Sequence, residues 1–420
     1  MRKRIGFLVL LLTLGLVLAA CNSDGEETTG TGGDGDASGE ITVWVHPYTG
    51  DAEAEKEMWD GIIARYNEEF PEVKVNIETI PWSNRDQKIL TALAANNGPD
   101  VFYAIPDQMP QYADEGMLLE LDPYLEDYDM DDFVDSALVS TTWKDKMYGL
   151  PILQEAYTFF YNADVIEAIG EDPENLPTTW EEFQAWAEKA KEKDFYALSY
   201  AGGGSMNGTL YPWIWQAGGD VITQDDEVLI NSPESVEAFE FINNMYEKGY
   251  IPEDSITAME HDALFQGGEM LAVLGSGISL TNLQAIEDFN FVIAPPLQNE
   301  EQVTYGTTGM FVVPSNSDNP DAAAEFVKVV TNADSQREFN TVTQYIPTRE
   351  SAKDIFDSQE YLSQLATYTE FALPGVIHPI GRNIMPLIQA EVQTMMEGKK
   401  SPEEAADAAA ELIEAELAKY

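Results

Sequence analysis

The chain has 420 residues with 75 acidic against 22 basic side chains, and a field of −53 charges excludes nucleic acid and anionic lipid surfaces as partners. Its 44% hydrophobic and 11% aromatic content excludes a disordered chain and is enough for a sizeable core. A single cysteine excludes an intramolecular disulfide.

In chain order, Arg2, Lys3 and Arg4 make a basic start and residues 5–20 carry no charge. That run is too short to span a bilayer and reads as a secretory signal. Leu18-Ala19-Ala20-Cys21 ends it and resembles the lipobox of bacterial lipoproteins, which implies a diacylglyceryl thioether on Cys21. Losing the three basic residues with the signal takes the charge from −53 to −56. Residues 22–39 are glycine, acids and small polar residues with no large apolar side chain, the composition of a flexible tether with a reach of about 25 Å. Gly30, Gly32 and Gly35 match a dinucleotide fingerprint in form only, since no strand precedes them and no helix follows. The acids are spread along the whole chain, as in adaptation to high salt or to high external pH.

The body opens as an α/β protein. Residues 41–46 alternate toward a strand; 54–70 place Met58, Ile62, Ile63, Tyr66 and Phe70 on one helical face; 73–80 form a second strand. Residues 85–96 read as helix and 101–105 as an apolar third strand, an order that implies a mostly parallel sheet covered on both faces. Thr178 and Glu181 have the spacing of a capping box before a helix that buries Phe183, Trp186, Ala187 and Ala190, so a second α/β unit follows the first. Trp59, Trp180 and Trp186 are assigned to the core.

Several stretches, taken in order, carry a family resemblance: "ITVWVHPYTG", "ALAANNGPDVFYA", "QYADEGMLLELDPYL", "MYGLPIL" before "FFYNADVI", "PTTWEEF", "WQAGGD", "FQGGEMLAVLGSG", "FVVPSNSDNPDAAAEFVKVV" and "YIPTRES". The chain resembles the extracellular solute-binding proteins of ABC importers, in the branch of maltodextrin and multiple-sugar binders. The resemblance implies a two-lobe α/β fold of the periplasmic-binding-protein type, with the ligand in a cleft and a hinge of several crossing segments. Carried onto this chain, residues 1–20 are the signal peptide and 21–39 the tether. The first lobe takes 40–153 plus 302–351, the second 154–301 plus 352–420, and Pro151 to Gln154 make the first crossing. The implied partners are a carbohydrate and the permease subunits of an importer, with a lipid anchor in the membrane; the protein is expected to be a monomer without cofactor or metal.

An enzyme finds no support in the motifs. His46, His261 and His378 lie in no metal-binding or nucleophile motif. Asp127, Asp129 and Asp131 begin like a calcium loop, but Asp132 stands where that loop needs glycine and Leu138 where it needs glutamate. A sugar site needs flat aromatic faces and a few polar side chains. Loops at the ends of the first three strands offer Tyr48, Trp82, Tyr103 and Asp107, on the side where open α/β sheets bind ligands. The resemblance adds Thr49 as a hydroxyl-gripping residue and Glu155 as an acid just past the hinge. In the second half Asn207, Trp213 and Tyr305 are further candidates, whereas small residues at Gly275, Ser276 and Gly277, and Met385, stand where the family stacks aromatics. Arg382 either forks onto ligand hydroxyls or pairs with acids. Together with Arg85 in the cleft it would favour an anionic ligand such as glycerol phosphate or a uronate. The alternative of another class is a secreted glycoside hydrolase, which needs only two carboxylates.

Overall fold

The computed structural model describes residues 39–420; Cys21, the signal and all of the tether but Gly39 lie outside the described residues. The strands that build the two main sheets are β1 (Gly39–Val45), β2 (Val73–Thr79), β3 (Val101–Ala104), β4 (Gly149–Gln154), β5 (Thr158–Asn162), β6 (Tyr196–Leu198), β7 (Met270–Gly275), β8 (Phe291–Ala294) and β9 (Thr308–Val312). The first sheet has the order β2-β1-β3-β9-β4 and the second β8-β5-β7-β6. In each, one strand opposes the rest: β9 is antiparallel to β3 and β4, and β5 to β8 and β7. The sheets are therefore mostly parallel, as the β-α-β order predicts.

Alternation along the strands explains why both sheets are covered on both faces. Ile41 and Val43 of β1 join a core with Met58, Trp59 and Ile62 of the helix Ala52–Glu69 and with Phe326 and Phe339 of the helices Pro320–Val330 and Ala333–Thr343. Phe102 of β3 faces the other way, onto Ile89 and Leu93 of the helix Arg85–Ala94. In the second sheet Phe159 and Tyr161 point toward the helices Trp180–Glu192, Pro233–Glu247, Gly381–Met396 and Pro402–Leu417, while the intervening Phe160 points toward Leu280, Leu283 and Leu362. Asp51 caps the helix Ala52–Glu69 by accepting from the Glu53 and Ala54 amides at 3.0 and 3.1 Å. Trp59, not Ile63, completes that helix's buried face.

Two local expectations are corrected. Thr178 and Glu181 form no capping box: Thr179 is the N-cap and accepts from Glu182 N–H, while the Glu182 carboxylate accepts from the amide of Thr178, one residue before the cap, at 2.8 Å. Pro151 to Gln154 are not the crossing but the end of β4, an edge strand on which proline removes no ladder bond. The chain passes between the sheets just beyond, at 155–157. There it runs beside the returning segment 304–307, with Glu155 N–H donating to Thr307 O and Tyr157 N–H to Tyr305 O, each at 2.9 Å. Gly306 allows this approach, because a Cβ there would lie 2.2 Å from the Glu155 carbonyl oxygen. A third segment reaches the junction at Ile346, whose amide and carbonyl pair with Gln154, and the chain leaves the first lobe only beyond Ser351, which still bonds Asp132.

The acidic turn around Asp127 is organised by a cation from the same chain. Arg349 donates to the Asp129 carbonyl at 2.9 Å and reaches the Asp132 carboxylate at 3.3 Å, and Ser351 Oγ–H donates to the same carboxylate. Elsewhere lysines and arginines pair with acids mostly at exposed positions. Such pairs offset little of the repulsion within a −53 chain. Raising NaCl from low to molar concentration is expected to raise the thermal midpoint by a few degrees, read by differential scanning calorimetry; an unchanged midpoint would mean that the acids do not strain the fold.

Candidate functional site

The three segments at the junction floor a cavity of about 630 Å³, within the roughly 300–1,000 Å³ usual for small-molecule sites. Its aromatic lining is Trp82, Tyr103, Tyr305 and Tyr345. Tyr103 occupies the next-to-last position of β3, and Gly309 on β9 makes room for it: a Cβ there would sit 2.2 Å from the Tyr103 hydroxyl. Trp82 lies in the loop after β2 with 39% of its surface exposed, and its indole N–H donates to Pro47 O at 2.8 Å. Beneath it His46 stacks at 4.1 Å. His46 Nδ1–H donates to Ile80 O at 2.9 Å, and burial pushes its pKa down to about 4, so this pedestal is neutral. The Arg85 guanidinium carbon is 4.9 Å from the Trp82 ring centre.

The polar lining is nearly balanced in charge. Arg382 Nη2 donates to Asp86 Oδ2 at 2.8 Å and Nη1 to Asp107 Oδ2 at 3.1 Å; Arg85 Nε meets Asp86 Oδ1 at 3.3 Å. Burial alone would lower the Arg382 pKa, but the charges of Asp107 and Asp86 raise it above its ordinary value. Burial alone would raise that of Asp86, and Arg382 and Arg85 more than offset it. Glu155 differs because no cation stands beside it. Burial lifts its pKa to about 7, against the opposing effect of Ser276 Oγ–H, which donates to Oε1 at 2.8 Å.

The candidates from the sequence divide into three groups. Trp82, Tyr103, Glu155, Tyr305 and Arg382 line the cavity together. Asp107 and Asn207 lie buried behind Arg382, linked by Asn207 Nδ2–H donating to Asp107 Oδ2 at 3.3 Å; Asp107 Oδ1 and Asn207 Oδ1 have no partner. Tyr48 is buried in the first core, edge-on to Tyr103 and Phe339. The remaining three sit elsewhere. Thr49 belongs to the turn before the first helix, its amide donating to Glu55 and its hydroxyl bonded to Asp51. Trp213 is second-sheet core, against Trp180 and Phe241. Gly275 ends β7, where a Cβ would press on Ser279 at 2.7 Å. Asp86 and Tyr345 were missed: one is an acid among many, the other reaches the cavity only through the third segment at the junction. The signal for Asp86 was its place in the first turn of a helix after an aromatic loop.

Two α/β lobes joined by crossing segments, with a cavity at the crossings lined from both sides, have the architecture of a binding protein for a small solute. Among the described residues no cluster of three His, Cys, Asp or Glu could hold a metal. The chain belongs to the bacterial extracellular solute-binding protein family, which matches residues 61–367, and that family consists of receptors, not catalysts. A galactooligosaccharide-binding protein of Bacillus subtilis is 25% identical and aligns over 99% of this chain and 98% of its own length. The fold matches a cyclic alpha-maltosyl-1,6-maltose binding protein from Arthrobacter globiformis with a TM-score of 0.79, at 24% identity, covering 91% of this chain and all of that one. It also matches an ABC substrate-binding protein from Listeria monocytogenes in complex with cycloalternan, with a TM-score of 0.76 at 21% identity, over 90% of this chain and 99% of that one. No helix of the described residues is long and apolar enough to cross a membrane.

Proposed function

We infer that this protein is the receptor of an ABC importer for a neutral oligosaccharide, held at the outer face of the membrane by lipid on Cys21. The observation that carries the ligand class is the lining of the cavity, in which aromatic faces alternate with side chains that can donate to and accept from hydroxyls. The oligosaccharides bound by the relatives named above agree with it. Arg85 and Arg382 both line the cavity, the condition under which an anionic polyol or uronate would be favoured. Each already pairs with a carboxylate, so an anion would have to displace Asp86 or Asp107, whereas hydroxyls can bridge the existing pairs. The lobes are divided at the crossings, with residues 40–154 and 308–351 in the first, a shift of a few residues from the expected 40–153 and 302–351.

Thermal-shift and calorimetric titration with galacto- and maltooligosaccharides, glycerol 3-phosphate and glucuronate test the reading. Stabilisation by the phosphate or uronate alone would replace it. Trp82→Ala is expected to weaken sugar binding about 5- to 150-fold, the equivalent of roughly 1–3 kcal/mol of lost stacking and burial, with the circular dichroism spectrum unchanged. Unaltered affinity would leave Trp82 as a cover for His46 only. Mass spectrometry of the membrane fraction should find lipid on Cys21; an unmodified thiol there would refute the anchor.

A further inference from the structure

The cavity just described does not end at Arg382. A second one, of about 520 Å³, lies on the other side, and the two share Asp86, Gln87 and Arg382 as a common wall. Its remaining lining comes from both lobes: Leu90, Gln111 and Tyr112 from the first, Asn383, Met385 and Gln389 among those from the second. Apart from the Arg382–Asp86 pair it contains no charged group. Its chemistry, apolar patches beside amides, therefore matches that of the first cavity without its aromatic stack. Resting on the oligosaccharide reading above, we propose that this compartment is an extension subsite, and that the Arg382–Asp86 pair is the partition that sets how long a ligand the protein accepts.

The two halves of the Arg382 contact are unequal, which is what a movable partition requires. Asp107 is 3% exposed, so Arg382 is anchored to a carboxylate that cannot be left alone in the interior. Asp86 is 43% exposed on its side chain and also accepts from Gln108 and Arg85, so water and these neighbours can take over when Arg382 leaves it. Arg382 can then turn on Asp107 while its outer nitrogen releases Asp86, joining the two compartments. A short ligand fills the aromatic compartment with the pair intact. A longer one reaches Gln111 and Asn383, residues that the first cavity does not contain.

The test is calorimetric titration of the mature protein with maltose through maltohexaose and with galactosyl oligomers of the same lengths. For the wild type, affinity should rise at least 10-fold from the shortest bound oligomer to the longest. In Gln111→Ala and Asn383→Ala, both side chains lying outside the hydrophobic cores, that ratio should fall at least 3-fold. Asp86→Asn, which loosens the partition while leaving Arg382 on Asp107, should shift the preference toward longer oligomers. A ratio unchanged in all three variants would overturn the partition while leaving the oligosaccharide receptor intact. No binding by either series, with the protein folded, would overturn both.

Discussion

Arg382→Met is expected to destabilise the protein by about 3–5 kcal/mol and to open the cleft. The magnitude follows from what is left behind. Asp107 is 3% exposed, one of its oxygens has no partner, and the other keeps only the Asn207 amide at 3.3 Å once the guanidinium is gone. Removing one member of a buried ion pair costs roughly this much because the remaining charge stays desolvated and unpaired. The opening follows from where the partners sit. Arg382 belongs to a helix whose Ile384 and Ile388 are second-sheet core, whereas Asp86 lies in, and Asp107 just before, helices packed on the first. Urea denaturation gives the first quantity and small-angle scattering the second, as a larger radius of gyration without ligand. Adding Asp107→Asn to Arg382→Met should restore most of the stability, since an amide carries no charge to strand; a double variant as unstable as the single one would locate the loss in packing instead.

Glu155→Gln is expected to act in the opposite direction. Burial holds the Glu155 carboxyl at a pKa of about 7 against an ordinary 4.5, so between these values the folded state binds a proton that the unfolded state has released. Stability therefore falls as pH rises from about 4.5 through 7, and the loss reaches about 3 kcal/mol. Glutamine never ionises. The variant should match the wild type at pH 4.5, where neither chain carries a charge at this position when folded, and exceed it by about 3 kcal/mol above pH 7.5, a difference of a few degrees in thermal midpoint. The difference between the two proteins isolates this group from the remaining carboxylates, which titrate in both. Sugar hydroxyls donating to the ionised carboxylate would make wild-type affinity rise with pH through about 7, and that rise should be absent from the variant. A parallel pH profile for both proteins would show that Glu155 remains ionised in the fold.

What the sequence determined is what depends on near neighbours along the chain. The period of Ile41, Val43 and Val45, the stripe of Met58, Ile62 and Tyr66, and the Pro and Gly breaks between them made the α/β class legible, and the ordered run of family-like stretches made the two-lobe fold legible. Strand-end loops likewise pointed to Trp82 and Tyr103, since a ligand site at the carboxyl ends of strands is a consequence of α/β topology. The tertiary structure decided which polar groups meet. Asp86, Asp107 and Arg382 are separated by up to 296 positions, and no local pattern distinguishes two of 75 acids as the pair that a single guanidinium will bridge. Thr49 was drawn to the site by the family resemblance and Trp213 by its aromatic ring, and both were lost to it by packing: a threonine beside Asp51 completes a helix cap, and a tryptophan among Trp180 and Phe241 gains more from burial than from a ligand face. The raised pKa of Glu155 likewise comes from chain crossings that exclude water and bring no cation, an environment assembled from segments near 155, 276, 305 and 345 that are remote in sequence and adjacent only once both lobes have folded.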